Sequence, residues 1–297
     1  MVAVRVPATS ANLGPGFDTL GLALSLYLDV EMDFADDAII EFKGEGEEDL
    51  KNNPENNLVL KSANILLSKA IIKKNLNIKI KNEIPIGKGL GSSAAAIVAG
   101  LFAANKLIGN KFSDQQLIKW AVELEGHADN IVPAVVGGFV TVMLYNDEIY
   151  YQKIQIPSNI DIIVVVPNFT LSTEKSRSVI PEKVNIKDTV YNLQRACFLI
   201  ASLNNKDYNK LDKAMDDLIY QPLRKHFIPG FNDIVDNAID NGALGIALSG
   251  AGPSFLAFAH DNPEKIGSSM QQGFNVHGVE SKLYYLKPED KGLVIVK

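Results

Sequence analysis

A single cysteine, Cys197, and a single tryptophan stand among 297 residues. One thiol excludes an intramolecular disulfide framework and any thiolate metal cluster, and it fits a reducing compartment such as the cytoplasm. Positive charge is also short. Twenty-nine Lys and Arg against 35 Asp and Glu leave a formal net charge of -6 and a pI near 5.3, so the chain offers no field for a polyanionic backbone, and no nucleic-acid partner is expected. Long apolar runs are missing too: the longest, 94–104, is too short to span a bilayer and contains a glycine, so no membrane partner is expected. The opening MVAVRVPATS has no charged segment leading into an apolar one, and export is not expected. What the chain does have is 46% hydrophobic residues, enough for one large domain or two ordinary ones.

Residues 2–6 and 26–34 alternate apolar with polar or small side chains, which predicts strands with one buried face, separated by a loop rich in Gly, Pro and Asn. The acidic stretch Glu45, Glu47, Glu48 and Asp49, ending at Pro54, reads as a solvated loop. Apolar residues at helical spacing predict a helix over 57–75, followed by a short strand over 77–81. Ser113 with Gln116 three residues on is a capping-box signature, so a helix is expected over 114–125, ending at Gly126. Residues 137–144 and 161–166 read as strands, the second buried on both faces, and the polar, prolyl break at 146–160 suggests a boundary between a domain of residues 1–152 and one of residues 153–297. Beyond it, helices are expected over 187–203, 207–219, 231–241 and 263–273, with strands over 244–249, 254–258 and toward the C-terminus. Helices and strands follow no strict βαβ rhythm, which favours the α+β class.

Residues 85–95, PIGKGLGSSAA, carry the strongest chemical signal. Gly87, Gly89 and Gly91 let backbone approach a ligand closely, and Ser92 and Ser93 open a helix of small residues. An uncovered helix N-terminus, with its dipole and free amides, binds phosphate, and Lys88 adds positive charge beside it. The spacing matches neither the P-loop nor GxGxxG. A flexible glycine turn before a buried helix is the plainer alternative. Two further segments stand out. PATSANLGPGFDTLG at 7–21 surrounds Asn12 and Asp18 with small residues, either a turn with a helix cap or a grip on an ammonium group and a hydroxyl. LSGAGPSFLAF at 248–258 is either a tight hairpin or a second loop closing on an anion.

Together and in this order, the three segments resemble the motifs of the GHMP kinases. Pro85, Ile86, Gly87, Lys88, Gly89, Leu90, Gly91, Ser92, Ser93, Ala94 and Ala95 cover the family's phosphate loop without a gap. The resemblance implies an ATP- and Mg²⁺-dependent small-molecule kinase with an N-terminal half like the second domain of ribosomal protein S5 and a ferredoxin-like C-terminal half. It puts amides of Gly89, Gly91 and Ser92 and the ammonium of Lys88 on the phosphates, Ser93 and Glu125 on the metal with Glu123 as the competing carboxylate, and adenine near 57–60.

Within the family, EGHADNIVPAVVGG at 125–138, LSTEKSRSVIP at 171–181 and QPLRKHFIPGF at 221–231 resemble the branch whose acceptor is L-homoserine. That resemblance implies Asp18 on the acceptor's ammonium, Asn12 on its hydroxyl, Arg177 and Arg224 on its carboxylate, a hydrogen bond from His127 and a supporting Thr173 hydroxyl. Asn130 would stand where other members carry a base, so direct in-line transfer without a dedicated base is expected. A homodimer is common in this branch and is expected here. A mevalonate-type GHMP kinase and a non-catalytic binding member of the family remain the alternatives at this point.

Overall fold

The computed structural model describes residues 1–296. The N-terminal half runs β1 (Val2–Asn12), β2 (Gly16–Ala35), β3 (Ile39–Gly44), α1 (Glu47–Asn52), α2 (Leu58–Lys69), β4 (Asn75–Asn82), α3 (Ser92–Leu107), α4 (Asp114–Glu125), α5 (Ile131–Val136), β5 (Phe139–Tyr145) and β6 (Glu148–Ile154). The 20-residue β2 organises its sheet. It pairs with β1 along its length, with β4 through Leu28–Asn82 to Ala35–Asn75, and with β5 through Leu20–Thr141 to Leu22–Phe139. β4 shows why the sheet has a single core face: Leu76, Ile78 and Ile80 are buried while Lys79 and Lys81 point to solvent, the alternation that a pleated strand imposes.

Under that face lies α3, buried along most of its length. Small residues make this possible. Gly100 brings α3 against α2 so closely that a Cβ there would stand 2.3 Å from the Val59 carbonyl oxygen and 2.1 Å from Ser62 Oγ. The neighbouring α4 carries the expected capping box, with Ser113 Oγ accepting from the Gln116 amide and the Gln116 side chain accepting from the Ser113 amide, and it ends at Gly126 in the left-handed region.

The C-terminal half runs β7 (Asp161–Pro167), α6 (Thr173–Arg177), α7 (Ile186–Asn205), α8 (Leu211–Ala214), α9 (Tyr220–Arg224), α10 (Phe231–Asp240), β8 (Gly245–Leu248), β9 (Phe255–Ala259), α11 (Pro263–Asn275), β10 (Ser281–Leu286) and β11 (Val294–Ile295). Its antiparallel sheet has the order β10-β7-β9-β8, the ferredoxin-like arrangement. β7 is buried on both faces, as its run of β-branched residues predicts. Ile163 and Val165 pack with α10 and α11, whereas Ile162, Val164 and Val166 join the core shared with the N-terminal half. The mixed architecture is α+β, and the chain passes from one sheet to the other between Ile154 and Asp161. It then returns: β11 pairs with β1 through Val4–Ile295 and Arg5–Val294.

Five sequence expectations differ from the structure. The helix expected over 57–75 ends at Lys69, where the chain turns with Ile71 at positive φ before β4 begins at Asn75. The segment 7–21 is not a long loop. β1 continues to Asn12 and only residues 13–15 turn, because Ala8, Thr9, Ser10 and Ala11 are small enough to lie buried against the helices while the ladder to β2 continues. The acidic stretch holds the short helix α1. The break expected from 146 begins as a hairpin, with Asn146 and Asp147 at positive φ turning β5 into β6. The helix expected over 207–219 is reduced to α8, because the buried Asp217 carboxylate accepts from the amides of Ile219, Tyr220 and Gln221 and so starts α9.

Ser113→Ala should lower unfolding stability by about 1 kcal/mol, the usual worth of an N-cap side chain, in urea melts, with no change in activity.

Candidate active site

The three segments singled out in the sequence meet at the junction of the two halves and lock together through backbone and short polar side chains. The Thr9 amide donates to the Leu90 carbonyl at 3.1 Å, and the Gly250 amide donates to the Ala11 carbonyl at 3.0 Å. Ser249 Oγ lies 2.6 Å from the Gly89 carbonyl oxygen and 2.8 Å from Ser10 Oγ. Asn12 Nδ2 donates to the Gly250 carbonyl at 2.9 Å, and Asn12 Oδ1 accepts from the Asp18 amide at 3.1 Å. The hairpin between β8 and β9 is therefore both a tight turn and a wall of the site. Around this knot opens a cavity of about 540 Å³.

One end of the cavity is built on the N-terminus of α3. Gly91, at φ 67°, precedes a helix whose amino end carries no side-chain cap. The amides of the first turn lack intrahelical partners and bring the positive end of the dipole with them. Gly91, Ser92 and Ser93 line the cavity here. Ser93 Oγ donates to Glu125 Oε2 at 2.6 Å, so the hydroxyl and carboxylate expected to share a cation are adjacent. The competing Glu123 is exposed on the far face of α4. Burial pushes the Glu125 carboxyl above its ordinary value, against the opposing pull of Ser93 and His127. Beyond the loop, Asn57, Leu58 and Val59 line the cavity as expected for the adenine end, joined by Phe42, Leu50 and Asn53.

The other end gathers the charged side chains. Arg177 Nη1 donates to Asp18 Oδ2 at 2.9 Å and Nη2 to Oδ1, a two-pronged pair. That hydrogen bond raises the Arg177 pKa further, in spite of burial. Arg224 is 2% exposed, and its guanidinium donates to the carbonyls of Gly250 at 3.0 Å and Ser176 at 3.4 Å. Among the described residues no carboxylate pairs with it, and burial, with the charge of Arg177, lowers its pKa. Both guanidinium groups stand over the Phe17 ring, at 5.0 and 5.4 Å from its centre, and Tyr220 stacks behind that ring at 4.2 Å.

His127 Nδ1 lies 2.6 Å from Asp129 Oδ1, and its Nε2 is 3.9 Å from Glu125 Oε1. Burial alone pulls the imidazole down, but the hydrogen bond and charge of Asp129, helped by Glu125, more than offset it and leave His127 above its ordinary value. Asn130 Oδ1 accepts from Thr9 Oγ1 at 2.8 Å. Thr173 opens the five-residue α6, held by Ser172 Oγ accepting from the Lys175 amide.

The cavity thus brings together Asn12, Gly89, Gly91, Ser92, Ser93, Glu125, His127, Asn130, Thr173, Arg177 and Arg224. Asp18 reaches this end through Arg177. Ala94 and Ala95, also expected at the nucleotide, are fully buried in the core because the face of α3 that carries them turns inward; Lys88 departs in another way. The residues on either side of it line the cavity, but its ammonium turns away and donates to the carbonyls of Pro167 at 2.9 Å and Phe169 at 2.7 Å. The expected neutralisation of phosphate by Lys88 is therefore not what the geometry provides: the side chain is long enough to leave the loop and finds two carbonyl acceptors outside it. Sequence reasoning also missed Thr9, Phe17, Tyr220 and the α1 wall. Phe17 lies inside a segment already singled out, but nothing in its local sequence pairs it with Tyr220 some two hundred residues later.

Residues 57–138 match the GHMP kinases N terminal domain family and residues 199–276 the GHMP kinases C terminal family. A homoserine kinase of Clostridium beijerinckii is 40% identical over 299 residues, covering 100% of this chain and 99% of the relative. One of Caldanaerobacter subterraneus subsp. tengcongensis is 41% identical over 300 residues, covering 100% of this chain and 96% of the relative. The crystal structure of homoserine kinase from Cytophaga hutchinsonii is similar with a TM-score of 0.88 at 32% identity, covering 99% of this chain and 97% of that one. A mevalonate kinase structure shares the fold with a TM-score of 0.72 at 19% identity, covering 98% of this chain and 100% of that one.

A Cβ on Gly91 would stand 2.0 Å from Thr9 Oγ1, at a φ that already disfavours any side chain. Gly91→Ala should weaken binding of a non-hydrolysable ATP analogue by at least about tenfold in calorimetric titration, given a left-handed penalty of roughly 1–2 kcal/mol. Its circular dichroism should stay native.

Proposed function

The chain belongs to the GHMP kinase family, and from that premise we propose that it transfers the γ-phosphoryl group of ATP to the side-chain hydroxyl of L-homoserine, giving O-phospho-L-homoserine for threonine biosynthesis. The observation that carries this reading is a buried guanidinium, Arg224, without a carboxylate partner, beside the Arg177–Asp18 pair and in the same cavity as a bare helix N-terminus. A zwitterionic amino acid fits that arrangement. Its ammonium exchanges for Arg177 on Asp18, and its carboxylate supplies both guanidinium groups with the planar acceptor they match in two-pronged fashion. Asp18, Arg177 and Arg224 are then all paired. An acceptor with a carboxylate but no ammonium, such as mevalonate, would separate Asp18 from Arg177 without replacing it.

The triphosphate lies on the amides of Gly89, Gly91 and Ser92, with the adenine in the cleft by Asn57, Leu58 and Val59. Ser93 and Glu125 are hard oxygen donors already in contact, a donor set that suits Mg²⁺, which keeps several waters and adds one or two protein oxygens to those of the phosphates. When bound, the ion supplies positive charge to the transferred phosphoryl group and its leaving oxygen.

The chain's own part is alignment. Asn12 spends one N–H on Gly250 and one lone pair on Asp18, and the amide has one of each left for the acceptor hydroxyl. Thr173 approaches from α6 and His127 keeps Nε2 free for the acceptor. The acceptor oxygen forms its bond to phosphorus in line with the breaking bond to the β-phosphate. The nucleophile keeps its proton until late in such a loose transition state and then releases it to an oxygen of the transferred phosphoryl group and on to solvent, so positioning and charge neutralisation carry most of the acceleration. No dedicated base is required, and Asn130, engaged by Thr9, serves as part of the wall. The protein works as a homodimer in this reading.

In a coupled ADP-release assay with Mg²⁺ and ATP, L-homoserine should turn over at least tenfold better than mevalonate or shikimate; equal or better turnover of either would refute the assignment. Arg224→Gln should raise KM for homoserine by about 10- to 100-fold, as expected for losing a hydrogen bond between charged groups worth roughly 1.5–3 kcal/mol, and leave KM for ATP within about threefold.

A further inference from the structure

Lys88 has the composition of a phosphate ligand and the geometry of something else. It lies between Gly87 and Gly89 on the nucleotide loop, half-buried, and among the described residues no carboxylate pairs with it. Its ammonium donates to two carbonyls, those of Pro167 and Phe169, at the point where β7 of the second sheet ends. The chain leaving that point is the segment 168–172, which leads directly into α6 with Thr173 and Arg177.

Residues 168–172 have no regular structure of their own. α6 is five residues long, far too short to be stable by its own hydrogen bonds, so its position is set by what it touches. On the acceptor side it is tied by Arg177 to Asp18, by Ser176 Oγ to the Ala251 carbonyl at 2.8 Å, and by the Ser176 carbonyl to Arg224. Within its own half the segment is held at its start by the Asn168 amide donating to the Glu280 carbonyl at 2.9 Å. On the nucleotide side, across to the phosphate loop, the only other tie in the described structure is the Leu171 amide to the Gly87 carbonyl, which at 3.4 Å is long. Hydrogen bonds from a charged donor are roughly twice as strong as neutral ones, so the two from Lys88 dominate this side.

We infer that Lys88 is a positioning residue, a strut by which the phosphate loop of the N-terminal half fixes the start of the acceptor-binding segment 168–177 of the C-terminal half. It sets the approach of Thr173 and Arg177 to the acceptor without touching either substrate. This deepens the proposed function and rests on the acceptor being homoserine.

The test is calorimetric titration of L-homoserine into nucleotide-free protein, followed by titration of a non-hydrolysable ATP analogue, for wild type, Lys88→Met and Lys88→Arg. Methionine keeps the aliphatic stem and removes both hydrogen bonds, while arginine can still donate to two carbonyls. Lys88→Met should weaken homoserine about tenfold in the absence of nucleotide, consistent with the loss of charge-assisted bonds, and weaken the analogue less than about threefold. Lys88→Arg should recover homoserine binding to within about threefold of wild type, and melting temperatures should agree to within about 2 °C, since the lost bonds sit on a half-exposed segment. Unchanged homoserine binding with a weakened analogue would return Lys88 to the phosphates and overturn the strut. Equal loss of both ligands with a large fall in melting temperature would make it a general structural tie and overturn it as well. If wild type binds a different acceptor from the assay panel and not homoserine, the substrate assignment fails, and the same three proteins titrated with that acceptor decide the strut by the same criteria.

Discussion

Everything in the site is referred to the bare amino end of α3. A helix buried along its body cannot shift without opening the core between β1, β2 and α2, so its first amides are fixed as firmly as the core itself. No side chain caps them, which in a buried setting is costly unless a ligand or water takes the place of the cap. The three loops that surround this end are joined by main-chain bonds, Thr9 to Leu90 and Ala11 to Gly250, and by the short side chains of Ser249 and Asn12 on the carbonyls of Gly89 and Gly250. Backbone lining lets a ligand come closer than side chains would permit. It also makes the site depend on chain path more than on residue identity.

The acceptor end follows a different rule, that of charge balance. Arg177, paired with the part-exposed Asp18, and the buried Arg224, which no carboxylate touches among the described residues, both stand over the Phe17 ring, with Asp129 and Asp217 acting on Arg224 only at longer range. Such an arrangement is expensive when empty and is relieved by an anionic group of matching shape. Arg177 is satisfied by Asp18 in the meantime, while Arg224 is held by carbonyls alone. The distinction between the two arginines is what the proposed binding of a molecule carrying both signs of charge rests on.

The acceptor end is itself divided between the halves of the chain, with Asn12 and Asp18 from the first and Arg177 and Arg224 from the second, and beyond the site the halves are joined again. β11 returns to the first sheet, β7 contributes Ile162, Val164 and Val166 to the shared core, and Lys88 reaches across from the nucleotide loop. Phosphoryl transfer needs its two substrates aligned to within fractions of an ångström, and a site divided between two sheets achieves this only if the join is stiff.

Local patterns were enough for much of this. The alternation in β4, the capping box of α4, the β-branched run of β7 and the glycine-rich approach to α3 each follow from interactions within a few residues, and each appears where the sequence places it. The motifs, read by resemblance, brought the family and most cavity residues with them. Elsewhere long-range contact decided the outcome. Residues 7–12 look like loop but are strand, because burial against the helices makes small side chains an advantage there. Residues 207–219 look helical but break, because the buried Asp217 gathers the next helix's amides. Glu125 rather than Glu123 meets Ser93, a choice made by which face of α4 turns inward. Lys88 shows the limit most plainly: its sequence neighbours imply phosphate, yet its ammonium goes to Pro167 and Phe169. Sequence determines which local hydrogen bonds and apolar faces are available, whereas the partner of a long, charged side chain is settled by whatever acceptor the folded chain brings within its reach.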